Sequence, residues 1–428
     1  MVSLRQIKEV ILSNEEFILH KVKKIFFREN IILPQSLDKT IVFYGIRRSG
    51  KTFLLYDLFQ KNPDRSLYVD FEDDRLYGFK MEDFEKLKIG FAELKPHLLH
   101  ERPFFLLDEV QTIKGWERFC RRAVEKEGLN VILSGSSSQI GPSEIHTALR
   151  GRVWGVEICP FSFREYCQAL GFSEFLSKPL FGSRRLRFRN IFQDYLKWGG
   201  FPEVCLATSE MEKVQLLKDY YQAMFFKDLV ERYRISNIPL LESLSDRLFS
   251  SFGLKFSLTP FYRQYRQRFP FSKDLLFQYY RHFLDSLLIN EVRLFAESTY
   301  RRMRNPAKIY LIDPGLARKV SSEDLGRLLE NVVFIELKRR GLEVFYFEEK
   351  RECDFITKNE KGQLEAIQVC YEFNEQNRVR ETTGLVDACR YVGIKEGKIL
   401  TLSNEEEFKQ EGIRIAVFSV LDWLRQNH

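Results

Sequence analysis

No stretch of this chain stays apolar for long enough to cross a bilayer, and Met1-Val2-Ser3-Leu4-Arg5-Gln6-Ile7-Lys8-Glu9 lacks the layout of a secretory signal. The expectation is a soluble, cytoplasmic protein with no membrane partner. Cysteine pairs at ligand spacing are missing as well. The seven cysteines (Cys120, Cys159, Cys167, Cys205, Cys353, Cys370, Cys389) are odd in number, scattered and never spaced C-x-x-C. That excludes a disulfide framework and a zinc-ribbon type of site, and leaves reduced core residues. The six histidines are equally dispersed, so none is assigned a metal.

Apolar mass, by contrast, is plentiful. With 44% hydrophobic residues and 39 phenylalanines in 428 positions, the chain supplies more than one ordinary core, and its length implies roughly two to four domains. The formal charge of +7 is concentrated: Ser245 to Lys308 carries twelve Lys or Arg against five Asp or Glu, a local excess of seven. Such a segment is either the footprint of a polyanion, DNA or RNA, or a solvated helical surface.

One stretch organises the remainder. Gly45-Ile46-Arg47-Arg48-Ser49-Gly50-Lys51-Thr52 fits the phosphate-binding pattern G-x-x-x-x-G-K-[ST] without a mismatch. A β-branched and aromatic run, Thr40 to Tyr44, precedes it, and Phe53 to Phe59 follows with apolar residues at helical spacing. The glycines let backbone N–H groups turn toward a phosphate at a helix N-terminus, whose dipole favours an anion. Lys51 is expected to reach the β- and γ-phosphates of ATP, and the Thr52 hydroxyl to bind Mg²⁺. Gly45, Arg47, Arg48, Ser49, Gly50, Lys51, Thr52 and Phe53 are therefore the nucleotide-binding candidates.

From about 38 to 160 strand and helix alternate. Strands are predicted at Ile41 to Tyr44, Leu67 to Phe71, Phe104 to Leu107, Val131 to Leu133 and Val153 to Ile158, which argues for a parallel, doubly wound α/β sheet with its ligand at the carboxyl edge. The third strand runs into Asp108-Glu109: Asp108 for the Mg²⁺ shell, Glu109 to polarise the attacking water. The fourth ends in Ser134-Gly135-Ser136-Ser137-Ser138, where Ser134 is a candidate contact to the γ-phosphate, with an ordinary small-residue turn as the alternative. Arg150 or Arg152 is a candidate to stabilise transition-state charge, in this chain or a neighbouring subunit, against surface salt bridges.

Residues 1 to 30 read as one leading helix and 161 to 235 as helices interrupted by a fixed turn at Trp198-Gly199-Gly200-Phe201-Pro202-Glu203. Helical patterns over Thr259 to Arg268 and Ser272 to Leu288, joined at Phe269-Pro270-Phe271 with Ser272 as N-cap, are compatible with a helix-turn-helix. There Arg263, Arg266 and Arg268 would serve phosphates, and Lys273, Gln278 and Arg281 a groove; bridging domains or subunits is the alternative. The segment from Lys308 onward reads as a smaller α/β domain, with strands at Val344 to Phe347, Asp354 to Thr357, Leu364 to Val369 and Ile413 to Phe418 and a helix over Asn331 to Arg339.

The P-loop, Asp108-Glu109, Ser134-Gly135-Ser136-Ser137, Gly151-Arg152, Gly199-Gly200-Phe201-Pro202 and Ile312-Asp313-Pro314-Gly315-Leu316 occur in this order. In that arrangement the chain resembles the archaeal and bacterial AAA+ superfamily ATPases that carry a C-terminal domain of unknown function. The resemblance implies a P-loop ATPase core (31–160) behind the leading helix (1–30), a helical lid (161–235), a winged-helix domain (236–305) and a restriction-endonuclease-like α/β domain (306–428). It further implies an ATPase using ATP and Mg²⁺; the basic segment adds DNA or RNA as a candidate partner, and an arginine acting in trans would require a homo-oligomer. In nuclease folds of this kind a helical Glu, a strand Asp and a Glu-x-Lys pair surround the metal. Glu336 matches the first and Asp354 the second. Gln368-Val369-Cys370 stands at the third, with an amide for a carboxylate and a thiol for the lysine, so the site is expected to be degenerate and non-cutting. Gly200-Phe201-Pro202 also resembles a lid motif of signal-transduction ATPases, which keeps open an ATP switch that assembles with proteins and no nucleic acid.

Overall fold

The structure, a computed structural model, describes residues 2–29, 31–34, 38–98, 101–136, 149–268, 270–320 and 324–426, and of Ser136 and Met303 the backbone alone. Ser137, Ser138 and Phe269 lie outside the described residues. The chain forms two compact units, Met1–Cys159 with Phe226–Arg232, and Pro160–Phe225 with Tyr233–His428.

In the first unit β1 (Thr40–Gly45), β2 (Ser66–Asp70), β3 (Phe104–Asp108), β4 (Asn130–Ser136) and β5 (Val153–Glu157) pair in parallel in the order β2-β3-β4-β1-β5. All five strands stand where the apolar runs predict them. Such runs form parallel strands because both faces of the sheet are covered. Successive residues alternate between two cores. Val42, Val69, Phe105, Leu107 and Leu133 pack with α1 (Leu4–His20), α3 (Asp83–Leu94) and α4 (Trp116–Glu125), where the Phe84 and Phe119 rings stack at 4.1 Å. Phe43, Tyr68, Leu106 and Ile132 face Leu54, Leu55 and Phe59 of α2 (Lys51–Lys61). Burying each such aromatic or aliphatic side chain is worth about 1.5–3 kcal/mol.

The leading helix is shorter than the sequence pattern suggests. α1 ends at His20 instead of continuing to residue 30, and residues 22–28 have no regular structure. A β-branched and aromatic sequence, Val22 to Phe27, disfavours further turns, and Gln60 of α2 donates to the carbonyls of Ile18 and Val22, at 2.9 and 3.1 Å, taking over end groups that another helical turn would have used.

In the second unit β6 (Lys255–Phe256), β7 (Ile289–Leu294), β8 (Ala307–Leu311), β9 (Glu343–Glu348), β10 (Glu352–Lys358), β11 (Leu364–Val369), β12 (Glu396–Thr401), β13 (Glu406–Gln410) and β14 (Ile413–Ser419) form one mixed sheet, ordered β13-β14-β12-β11-β10-β9-β7-β8-β6. β6, β7, β8, β12 and β13 were absent from the sequence reading. The line drawn between 305 and 306 separates β7 from β8, which pair antiparallel, and β7 continues in parallel into β9. The two stretches on either side of that line thus share a sheet. Ser272 does cap its helix, Lys273–Asp285, accepting from Leu275 N–H at 3.0 Å.

All seven cysteines are free and buried, as the spacing implies. Among the described residues no helix is long and apolar enough to cross a membrane.

Candidate nucleotide site

β1 delivers the chain into the P-loop at Gly45, whose φ is +151° and whose hypothetical Cβ would lie 2.2 Å from the Ile158 carbonyl oxygen. No side chain fits there. Gly50, at φ +96°, caps α2 from the left-handed region, and Arg48 shares that region at φ +64°. Lys51 Nζ is buried and donates to the carbonyls of Gly45 and Ile46 at 3.0 and 2.9 Å. Burial pushes its ammonium down to about 8, although Glu109 and Asp108 pull the other way. Ser49 Oγ is buried with no hydrogen-bond partner among the described residues, and the Ser49 carbonyl is held by Arg28 at 2.8 Å. A glycine-lined turn at a helix N-terminus, a buried lysine and an orphaned hydroxyl form a donor set that fits a polyphosphate. Thr52 is half-buried and Phe53 47% exposed, so the latter offers a ring to solvent at the first turn.

The acids stand at the same edge of the sheet. Asp70, Asp108 and Ser134 are paired across β2, β3 and β4. Asp108 is buried; its Oδ2 accepts from the Tyr68 hydroxyl at 3.0 Å and its Oδ1 from the Ser134 hydroxyl. Ser134 therefore contacts the acid that is expected to serve Mg²⁺. Glu109 adopts left-handed backbone, φ +50° and ψ +37°, strain of the kind stored at functional sites, with its N–H on the Ser134 carbonyl at 3.0 Å. Its carboxylate accepts from the Gln111 amide, and burial, then neighbouring Asp108, raises its pKa, making it a stronger base.

Two members of this edge were missed in the sequence reading. Tyr68 and Asp70 both lie in the predicted strand Leu67 to Phe71, and an acid at its carboxyl end was a usable signal. Burial raises Asp70 to about 6. Among the described residues no group of three or more His, Cys, Asp or Glu could hold a metal. Thr52 and Asp108 suit Mg²⁺, which takes few protein ligands and completes its shell with phosphate and water.

The arginines of the fifth strand do not join this edge. β5 runs parallel to β1, with Thr40 opposite Val153 and Tyr44 opposite Glu157. Arg150 and Arg152 precede β5, so they sit at the amino edge, with the length of the strand between them and Gly45. Both are exposed, and Arg152 pairs with Glu125 at 2.6 Å. This placement sets both arginines at the opposite end of the strand from the P-loop of their own chain, and the ion pair of Arg152 is the surface salt bridge that stood as the alternative.

In the second unit the structure brings together some of the residues matched to a nuclease pattern and not others. Asp354 accepts from Val369 N–H at 3.0 Å, and Gln368 Oε1 accepts from Asp354 N–H at 3.2 Å. Glu336 is not with them: it pairs with Arg340 at 2.9 Å, four residues on. The helical acid that faces Asp354 is Glu330, six residues earlier on the helix Leu325–Arg339 and hence on another face. A cation reaches this group from β8. Lys308 Nζ is buried 2.9 Å from Glu330, 2.7 Å from Glu352 and 3.0 Å from Asp354, while Gln368 Nε2 donates to Glu381 at 2.8 Å. Burial, then Asp354, raises Glu330 to about 7.

The basic candidates Arg263, Arg266, Arg268, Lys273 and Arg281 are all exposed, as is Gln278. Phe277, 49% exposed, lies one turn from both Lys273 and Arg281 on their shared helix. Between β7 and β8 the short helix Thr299–Arg304 adds exposed Tyr300, Arg301 and Arg304, which the sequence reading passed over. The two remaining motifs meet each other. Asp313 is buried and accepts from Gly200 N–H at 2.7 Å and Gly315 N–H at 2.9 Å, and a Cβ at Gly199 would lie 1.8 Å from its Oδ1. Gly199-Gly200 and Asp313-Pro314-Gly315 are thus one structural joint.

Residues 37–167 match the family model of an AAA domain, and residues 189–325 that of a domain of unknown function, DUF8612. The chain is similar to Uncharacterized protein MJ1544 of Methanocaldococcus jannaschii, 33% identical over 410 residues that cover 93% of this chain and 89% of that protein. An Uncharacterized protein of Haemophilus influenzae is 26% identical over 427 residues, covering 94% and 100% respectively. Among solved structures, AMPPCP-bound DnaA from Aquifex aeolicus aligns over 56% of this chain and 69% of its own at 16% identity, with a TM-score of 0.24, too slight a likeness to transfer anything.

Proposed function

Because the chain belongs to the same family as Uncharacterized protein MJ1544 of Methanocaldococcus jannaschii and matches an AAA domain over residues 37–167, we propose that it is an Mg²⁺-dependent ATPase. The observation that carries this reading is the buried Lys51 ammonium within the field of Asp108 and Glu109, at the sheet edge where the P-loop opens. Lys51 exchanges its two carbonyl partners for phosphate oxygens. Thr52 and Asp108 hold the metal, which when bound neutralises charge on those oxygens. Glu109, held in its strained turn by the Ser134 carbonyl, takes a proton from the attacking water. Arg150 or Arg152 assists from an adjacent copy, so full turnover requires a homo-oligomer.

The partner of this cycle is read as nucleic acid. Support comes from the order helix Ile238–Ser250, β6, helix Leu258–Tyr265, helix Lys273–Asp285 and hairpin β7/β8, which suits a winged helix, and from its exposed basic residues interleaved with Phe277 and Tyr300. The C-terminal sheet acts as a degenerate nuclease-like fold in which Lys308 fills the acidic group. The second reading, a protein-assembling ATP switch, draws on the amino-edge position of Arg150 and Arg152.

Titration with a fluorescent ATP analogue, with and without Mg²⁺, tests the site: wild type binds and Lys51→Ala does not. Fluorescence anisotropy with duplex and single-stranded DNA at rising salt tests the partner. Affinity that falls with salt, and is lost on neutralising Arg263, Arg266 and Arg268, supports nucleic acid. Absence of affinity in the intact protein leaves the switch.

A further inference from the structure

Residues Phe226–Arg232 are a detour. They group with the P-loop unit, whereas the chain on both sides of them belongs to the other unit. They also include most of a π-helix, Met224–Glu231, a rare winding that is frequent at functional sites. This segment brings a carboxylate to the phosphate loop: Asp228, 1% exposed, accepts from Arg47 Nε at 2.6 Å. Arg47 is the second residue after Gly45 and lies 23% exposed. Both partners stand within the field of Lys51, and Arg47 within that of Glu109.

A carboxylate buried against a phosphate-loop arginine offers that arginine what a phosphoryl oxygen would offer. We propose that Asp228 is a γ-phosphate sensor, holding Arg47 while no γ-phosphate is present and yielding it when ATP binds. The inference rests on the reading of this loop as an ATP site. A γ-phosphate near Lys51 brings negative charge next to a buried carboxylate. Arg47 then gains a second anionic partner while Asp228 is repelled. Asp228 cannot stay where it is, buried and opposed by a like charge, without loss, so the π-helical segment rearranges. ADP lacks the γ-phosphate and its added charge at that point, and leaves the segment in place. Since that segment is covalently continuous with the helix Glu210–Ala223 before it and Ile238–Ser250 after it, nucleotide state is passed along the chain from one short element.

The test uses the full-length protein with Mg²⁺ and either ADP or a non-hydrolysable ATP analogue. Hydrogen exchange over residues 224–232 in the wild type is expected to rise with the ATP analogue and to remain at the nucleotide-free level with ADP. In Asp228→Asn it is expected to be high in all three states, and the affinity for the ATP analogue should rise about tenfold while that for ADP moves little. The wild-type exchange measurement needs no variant and stands even if Asp228→Asn folds poorly. Binding of both nucleotides with unchanged exchange at 224–232, or an equal shift of both affinities in the variant, overturns the sensor and leaves the ATP site intact. Failure of wild type to bind either nucleotide overturns both.

Discussion

The Tyr68 hydroxyl donates to Asp108 Oδ2 at 3.0 Å from the adjacent strand, so the acid expected to serve Mg²⁺ is oriented by β2 as well as by Ser134 of β4. Tyr68→Phe removes one of the two donors without changing the ring. Outer-shell partners of metal ligands are typically worth 10–100-fold, so Mg²⁺-dependent turnover is expected to fall by about tenfold or more. ATP affinity without Mg²⁺ should remain that of the wild type. A matching loss of metal-free affinity would show that Tyr68 supports the loop as a whole.

Lys51 links the site to pH. Its folded-state value, about 8, lies below the ordinary 10.5 because burial disfavours the charged form. The sign follows from proton binding: the unfolded chain holds this proton more tightly. The penalty is therefore fully present below pH 8 and disappears as pH rises from about 8 toward 10.5, which stabilises the nucleotide-free protein relative to lower pH. Phosphate restores the charge. Calorimetry at pH 8.5 in buffers of different ionisation enthalpy should report proton uptake on ATP binding, and a buffer-independent enthalpy would contradict this account.

Lys308 joins three carboxylates in the second unit, and removing one member of a buried charge group typically costs about 3–5 kcal/mol. Lys308→Met should show such a loss in denaturant titrations. Its pH dependence distinguishes a charge effect from simple packing. Glu330 is an acid whose folded value is raised, to about 7, so its stabilising share is present at low pH and is lost as pH climbs through 7. Without the ammonium the ionised form is still less tolerated. The deficit should widen from pH 5 to pH 8, and Lys308→Met with Glu330→Gln should recover part of it; a deficit equal at both pH values would point to packing.

The residues that could be read from sequence share a property: their context is local. Gly45, Gly50 and Lys51 are specified by a short motif with a strand before it and a helix after it, and the parallel strands are near-continuous apolar runs that need no partner to be recognised. The partners were not legible, because they come from far along the chain. Tyr68 is 40 residues from Asp108, Lys308 is 46 from Asp354 and Asp228 is 181 from Arg47. No periodicity reports such separations. Glu336 and Glu330 are both acids in one apolar helix, and only the packing of that helix on its sheet decides which one turns to Asp354 and Lys308. Arg150 and Arg152 were recognised as candidates, but the edge on which they lie depends on the direction of β5, which pairing alone fixes.

Steady-state ATP hydrolysis by wild type and Glu109→Gln, each alone and with single- and double-stranded DNA, tests the central claim most directly. General-base removal typically costs 10²–10⁴-fold, so Glu109→Gln should bind ATP and turn it over at least about a hundredfold more slowly. Stimulation of the wild type by DNA would join the ATPase to the basic segment. Turnover in Glu109→Gln equal to that of the wild type would contradict the account.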